Sequence, residues 1–353
     1  MPFAITHGPS GVLVRLAAAG AAIALAVAGL TACSTDAAVQ DNPNDTTEPS
    51  DAFPITIDNA FGQAVIESEP QRIVVVGLTE QDVLLELGVV PIATTEWYGE
   101  QPYAVWPWAT ELLRGAEPVV LDQTEGPQFE KIASLEPDLT VGTNAGLDQE
   151  TYDKLSEIAP TVSTVDGEER YFSDWRARTR QIAKAVGRSA EGEQLIAGVD
   201  EAYAAAAAAH PEFAGKTASF SQGSPWEGAL YVYPDGVNTD FLTDLGFTMT
   251  QGLESYADMP GEQADLSAEN VGLIDADVIV FATEKEEDIQ SLMDFGTLSQ
   301  LDAVTNGRAV YTDGTLAGAV YFMTPLSQKY VLEHLVPRLV DAVDGKAPQT
   351  TEV

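Results

Sequence analysis

The chain has 353 residues, 45% of them hydrophobic, and carries 55 acidic against 17 basic side chains for a net charge of −38. That length allows two domains of ordinary size. The charge excludes nucleic acid as a natural partner, because phosphate binding needs clustered Lys and Arg, and it disfavours docking of the folded body onto anionic lipid.

An apolar run from Leu16 to Ala32 ends at Cys33, the single cysteine of the chain. The run is shorter than the ~20 residues of a spanning helix. Leu30-Thr31-Ala32-Cys33 resembles the lipobox of bacterial lipoproteins, where a signal peptidase cuts before the cysteine and a diacylglycerol is attached to its sulfur. That resemblance implies a signal peptide over 1–32 and lipidation at Cys33. The protein would then be anchored to the extracytoplasmic face of the cell membrane. An ordinary signal peptide or a membrane anchor is the alternative. With one cysteine there are no internal disulfides and no cysteine-type structural zinc. Residues 33–52 are rich in Asp, Asn, Thr and Pro and read as a disordered tether, about 25 Å in r.m.s. span.

Folded structure is expected from Phe53. Ile55–Ile57 and Ala64–Ile66, around Asn59 and Gly62, read as a hairpin. Arg72–Val76 is a continuous apolar run of the kind a buried parallel strand requires. A helix over Thr79–Leu87 is closed by Gly88. Val89–Thr94, Val119–Leu121, Leu139–Val141 and Thr161–Val165 follow as strands, with helices over Phe129–Leu135 and Tyr152–Ile158. A helix over Phe172–Val186 precedes a long alanine-rich one over Ala190–Ala209, alanine being the strongest helix former. The alternation then resumes: strand Thr217–Ser221, helix Thr239–Leu245, helix Ala268–Ile274, strands Val278–Ala282 and Ala309–Thr312, and a last helix over Pro325–Val343.

Two patterns recur in the same order. Asp82-Val-Leu-Leu-Glu-Leu-Gly-Val89 aligns with Asp240-Phe-Leu-Thr-Asp-Leu-Gly-Phe247. Glu130-x-Ile132-x-x-Leu135-x-x-Asp138-Leu139-x-Val141 aligns with Glu269-x-Val271-x-x-Ile274-x-x-Asp277-Val278-x-Val280. The expected architecture is α/β: two Rossmann-like lobes over 53–188 and 212–345, joined by one long helix over 189–211. Ligands in open α/β sheets sit at the carboxyl ends of strands, so the ligand cleft is expected between the lobes.

Arg72–Gly77, Glu130–Leu139, Ile182–Arg188 and Asp275–Val280, in that order and spacing, resemble the substrate-binding lipoproteins of iron-siderophore and vitamin B12 ABC importers, the binding-protein type with a single rigid linking helix. The resemblance covers roughly 54–345. It implies a monomer that captures a ligand and seats on an ABC permease dimer with its ATPase. It also implies that one glutamate per lobe docks on the permease; by motif position these are Glu130 and Glu269. The bland reading is that both carboxylates merely favour the first turn of a helix.

Candidate ligand-binding residues lie on loops after strands: Trp97, Tyr98 and Trp106, with Tyr103 and Trp108 in the same loop; Asn144; Arg170, near Tyr171 and Trp175; and Trp226, Tyr231, Tyr256 and Tyr321, with Tyr233 nearby. Aromatics suit a large chelate, and Arg suits its oxygens; for each aromatic, core packing is the competing reading. The expected ligand is a ferric siderophore, with a neutral or cationic hydroxamate favoured because basic groups are few. Cobalamin or haem is the alternative. No resident cofactor or bound metal is expected, since the mature chain holds only His210 and His334. No nucleophile elbow or zinc motif is present, which leaves an exported hydrolase or a passive adhesin as weaker alternatives, and no catalytic residues are assigned.

Overall fold

The computed structural model describes residues 51–124, 126–168, 173–258 and 262–351. Cys33, the leader and nearly all of the tether lie outside these, as do Arg170 and Tyr171. Among the described residues no helix is long and apolar enough to cross a membrane.

β1 (Ile55–Asn59) and β2 (Gly62–Ile66) form the expected antiparallel hairpin. The first lobe is a five-stranded parallel sheet of β3 (Ile73–Val75), β4 (Ala93–Thr95), β5 (Val119–Leu121), β6 (Leu139–Val141) and β7 (Thr161–Val162), in the order β5-β4-β3-β6-β7. Helices α1 (Glu80–Glu86), α2 (Phe129–Ser134) and α3 (Gln149–Ser156) connect its strands. Every residue of β3 and β6 is buried, as a strand covered on both faces must be. Val89–Val90, expected to open β4, stay outside the sheet; Pro91 lacks the N–H that a ladder needs, and the strand starts only at Ala93.

α4 (Trp175–Ala185) is capped by Asp174, whose carboxylate accepts from the N–H groups of Arg176 and Ala177. That cap sets the helix start later than the apolar pattern suggested. α5 (Ser189–Ala209) is the long linking helix. The second lobe holds β8 (Thr217–Gln222), β9 (Ala229–Tyr233), β10 (Thr248–Met249), β11 (Ala264–Ser267), β12 (Val278–Ala282) and β13 (Ala309–Tyr311), in the order β11-β9-β8-β12-β13, with β10 pairing to the start of β8. Its helices are α6 (Asp240–Thr243), α7 (Glu286–Met293), α8 (Asp302–Thr305), α9 (Gly314–Phe322) and α10 (Pro325–Val343).

This lobe is mixed rather than all parallel, because β9 and β11 run antiparallel to their neighbours. The helix expected over Ala268–Ile274 is instead a turn followed by a single 3-10 turn, Val271–Ile274. In that geometry residues three apart eclipse, so one turn buries Val271 and Ile274 together. α9 is apolar on every side and largely buried, so it offered no helical periodicity to read.

The lobes meet through α10, which packs on α5 and on α1 of the first lobe. Asp82 of α1 is the polar centre of that contact. Its Oδ2 accepts from the Trp108 indole at 2.7 Å and from the Thr324 hydroxyl of the second lobe at 2.7 Å. Its Oδ1 is buried without a partner. Beside it, Lys329 pairs with Glu86 at 2.5 Å. Trp106, from the first lobe, reaches Gly318 of α9; a Cβ there would fall 2.5 Å from the indole. Burial raises the Asp82 carboxyl to about 7, against the lowering effect of its two hydrogen bonds. The folded state therefore holds a proton that the unfolded chain releases near pH 4, and this group makes stability fall as pH rises from about 4 to about 7. The full effect is on the order of 4 kcal/mol at 1.36 kcal/mol per pKa unit. In Asp82→Asn the pH profile of unfolding, followed by denaturant titration, is expected to lose about one proton of slope in that window. An unchanged profile would contradict the assignment.

Candidate functional site

The sheet of each lobe reverses its strand order at one place. In the first lobe the chain passes from β3 to one side and returns as β6 on the other; in the second it does so at β8 and β12. Loops leaving such neighbouring strands diverge and open a crevice at their carboxyl ends. The two crevices face each other and enclose a cavity of about 790 Å³. Leu78 and Asn144 line it from the loops after β3 and β6, and Gly223–Trp226 and Glu284 from those after β8 and β12.

The first-lobe floor is built on a buried carboxylate. Glu80 accepts from the N–H of Thr79 at 2.9 Å, the N–H of Asn144 at 2.5 Å and the Thr143 hydroxyl at 3.2 Å. Gly77 makes room for it, since a Cβ there would sit 2.1 Å from Glu80 Oε1. Arg178, buried on α4, donates to Thr79 Oγ1 at 3.5 Å and to the Met323 carbonyl of the second lobe at 3.3 Å. Desolvation lowers its pKa, and the nearby Glu80 charge opposes that effect. On the opposite side Gly223 lies against β12, where a Cβ would be 2.2 Å from the Ala282 carbonyl. Both glycines allow a backbone approach that no side chain would tolerate.

The walls are aromatic and amide-rich. Trp97 is 40% exposed and Trp226 66% exposed, one from each lobe. Trp226 opens a two-residue hairpin turn in which Glu227 and Gly228 both have positive φ, the backbone that matches strand twist. Tyr98 packs edge-on against Trp97, with ring centroids 4.7 Å apart. Tyr233 stacks on Phe220 at 4.6 Å. Burial raises the phenols of Tyr98 and Tyr321 well above the usual tyrosine range, and the Glu284 charge adds to both. Tyr233 is raised by burial to about 12. All three stay protonated at neutral pH and can donate hydrogen bonds. Gln123, Asn144, Gln222, Asn238 and Gln263 supply further amides. Among the described residues no arginine lines the cavity, and no group of three or more His, Cys, Asp or Glu side chains is gathered to hold a metal. His210 pairs with Glu212 and His334 packs on Tyr330, neither in the lining.

Of the residues singled out in the sequence, Trp97, Tyr98, Asn144, Trp226 and Tyr321 line the cavity, and so does Tyr233. Trp106 does not: it is buried, stacked on Trp108 at 5.1 Å and wedged at Gly318, so it serves lobe packing. Tyr231 stands one pleat along β9 from Tyr233, opposite Asp265, outside the lining. Tyr256 ends a 3-10 turn, Leu253–Tyr256, beside the edge strand β11. Trp175 is buried at the start of α4, with the Arg176 guanidinium over its ring at 4.5 Å. Glu130 is exposed in the first turn of α2, while Glu269 is exposed in the turn after β11 rather than on a helix. Of the lining amides only Asn144 was singled out from the sequence; Gln123, Gln222, Asn238 and Gln263 form no motif.

The sequence model described as "Periplasmic binding protein" matches residues 73–316. The chain belongs to that family. It is 30% identical over 274 residues to "Probable siderophore-binding lipoprotein YfiY" of Bacillus subtilis, covering 74% of this chain and 78% of that one. Among solved structures, a periplasmic solute binding protein from Mycobacterium smegmatis is 41% identical with a TM-score of 0.76, covering 82% of this chain and 98% of that one. PiaA of Streptococcus pneumoniae, solved in complex with ferrichrome, is 26% identical with a TM-score of 0.71, covering 83% and 99%.

Of the five tryptophans, only Trp97 and Trp226 stand exposed at the cavity. Acrylamide quenching is expected to reach these two and spare Trp106 and Trp175. A double Trp97→Phe, Trp226→Phe variant should lose the quencher-accessible emission; retention of that emission would contradict the arrangement.

Proposed function

We propose that this periplasmic binding protein is the substrate-binding component of an ABC importer, capturing a ferric siderophore in the interlobe cavity and delivering it to a membrane permease. The observation that carries the reading is the cavity itself, walled by aromatic rings and neutral donors from two facing crevices. A ferric trihydroxamate fits that chemistry. Three monoanionic hydroxamates balance Fe(III), so the core brings no net charge, and Tyr98, Tyr233 and Tyr321 can donate to its oxygens. A multiply anionic catecholate or citrate chelate wants basic partners, and the described lining offers Lys285 alone against Glu284 and Asp288. The relatives named for siderophore and ferrichrome binding support the same class.

Lipidation at Cys33 would hold the protein at the extracytoplasmic face of the membrane, as the lipoprotein name of its relative suggests. The linking helix α5 and the polar contacts at Asp82 favour small lobe closure. Glu130 and Glu269 are the proposed contacts with the two permease subunits. Both carboxylates are exposed, and neither pairs with a described cation within ion-pair distance. Cells carrying Glu130→Lys together with Glu269→Lys are expected to lose uptake of a radiolabelled ferric trihydroxamate, while the purified variant binds it as the unaltered protein does. Loss of binding in the variant would overturn the docking roles. Failure of the unaltered protein to bind any ferric chelate, with saturable binding of cobalamin or haem, would overturn the siderophore assignment.

A further inference from the structure

The charged groups of the described lining are Glu284, Lys285 and Asp288, from the turn after β12 and the start of α7. Asp288 is already engaged, since its Oδ2 accepts from the N–H groups of Glu284 at 2.9 Å and Lys285 at 3.1 Å. The Glu284 carboxylate accepts no hydrogen bond from a described residue. Its backbone position is constrained on both sides. Gly223 abuts the Ala282–Thr283 main chain just before it, and Gly314 lies against its own carbonyl, where a Cβ would come within 3.3 Å. Glu284 lines the cavity together with Tyr98 and Tyr321, the wall where a chelate would rest, and its charge helps raise both phenols. Lys285 faces two carboxylates in the described lining, Glu284 and Asp288, and so does not neutralise the wall; burial and the Asp288 charge raise the Glu284 carboxyl, and Lys285 opposes them.

A ligand that fills the cavity strips water from this carboxylate. A buried charge without a partner is costly, and a paired, hydrogen-bonded one is not. A neutral chelate leaves Glu284 unpaired and an anionic one repels it. A chelate bearing a cationic side arm supplies the missing partner.

We propose that Glu284 is a specificity-determining residue that selects ferric chelates carrying a pendant cation, such as a protonated primary amine, over neutral chelates with the same iron core. The inference rests on the siderophore reading above and deepens it. Its test uses two ligands with one core: ferrioxamine B, a linear ferric trihydroxamate with a free ammonium arm, and its N-acetyl derivative, in which that charge is removed. Each is titrated against the unaltered protein and against Glu284→Gln, following tryptophan emission. The unaltered protein is expected to bind the ammonium form about tenfold more tightly, the scale of one charge-assisted hydrogen bond. Glu284→Gln should bring the two affinities within about twofold through loss on the ammonium form alone. Equal binding of both ligands by the unaltered protein overturns the inference and leaves the siderophore reading standing. An equal loss on both ligands in Glu284→Gln also overturns it, by assigning the residue a structural role. No binding of either ligand by the unaltered protein overturns the underlying reading, and the inference with it.

Discussion

Asp82 accepts hydrogen bonds from an indole of its own lobe and a hydroxyl of the other, and its side chain is fully buried. A buried carboxyl of this kind is costly, and breaking such an arrangement by removing one partner is worse than never having built it. Two further contacts share the boundary: the Trp106 indole in the space left by Gly318 and the Arg178 guanidinium between Thr79 and the Met323 carbonyl. These contacts fix how the carboxyl edges of two sheets face each other. The cavity is the space that remains between those edges.

The same geometry explains why side chains of such different kinds share the cavity wall. Strand ends at a reversal of strand order leave backbone exposed on diverging loops. In the first lobe, Glu80 captures that backbone from within and holds Asn144 in the cavity floor. In the second lobe, Gly223 presses the loop after β8 onto β12, and the hairpin that follows carries Trp226 into solvent. Rigid backbone beneath, with two exposed indoles above, is suited to a bulky ligand that is gripped by faces and donors.

Much of the architecture was legible in the sequence for plain physical reasons. Parallel strands buried on both faces read as unbroken apolar runs, as the run holding β3 did; β12 is likewise apolar throughout, whereas β6 was read as a strand despite its central Thr140. α10 begins at Pro325 after a Thr324 cap, a start signal visible in the chain alone. β9 and β11 were missed because a short antiparallel edge pair depends on its neighbours rather than on its own composition. Within the site, loop position identified Trp97 and Trp226 but could not separate them from Trp106. A loop tryptophan facing a ligand and one facing the other lobe look alike until the glycine that receives it, Gly318, is brought alongside. Glu284 was invisible for a similar reason: one carboxylate among 55 acidic residues stands out only once its neighbours are seen to be engaged and it is not.

The central claim is that the interlobe cavity is where iron arrives. Crystals grown with a ferric trihydroxamate and measured at the iron absorption edge test it most directly. The account predicts one anomalous peak inside the cavity, between Trp97 and Trp226 and against the phenols of Tyr98, Tyr233 and Tyr321. An iron peak elsewhere on the protein, with the cavity empty, would contradict it.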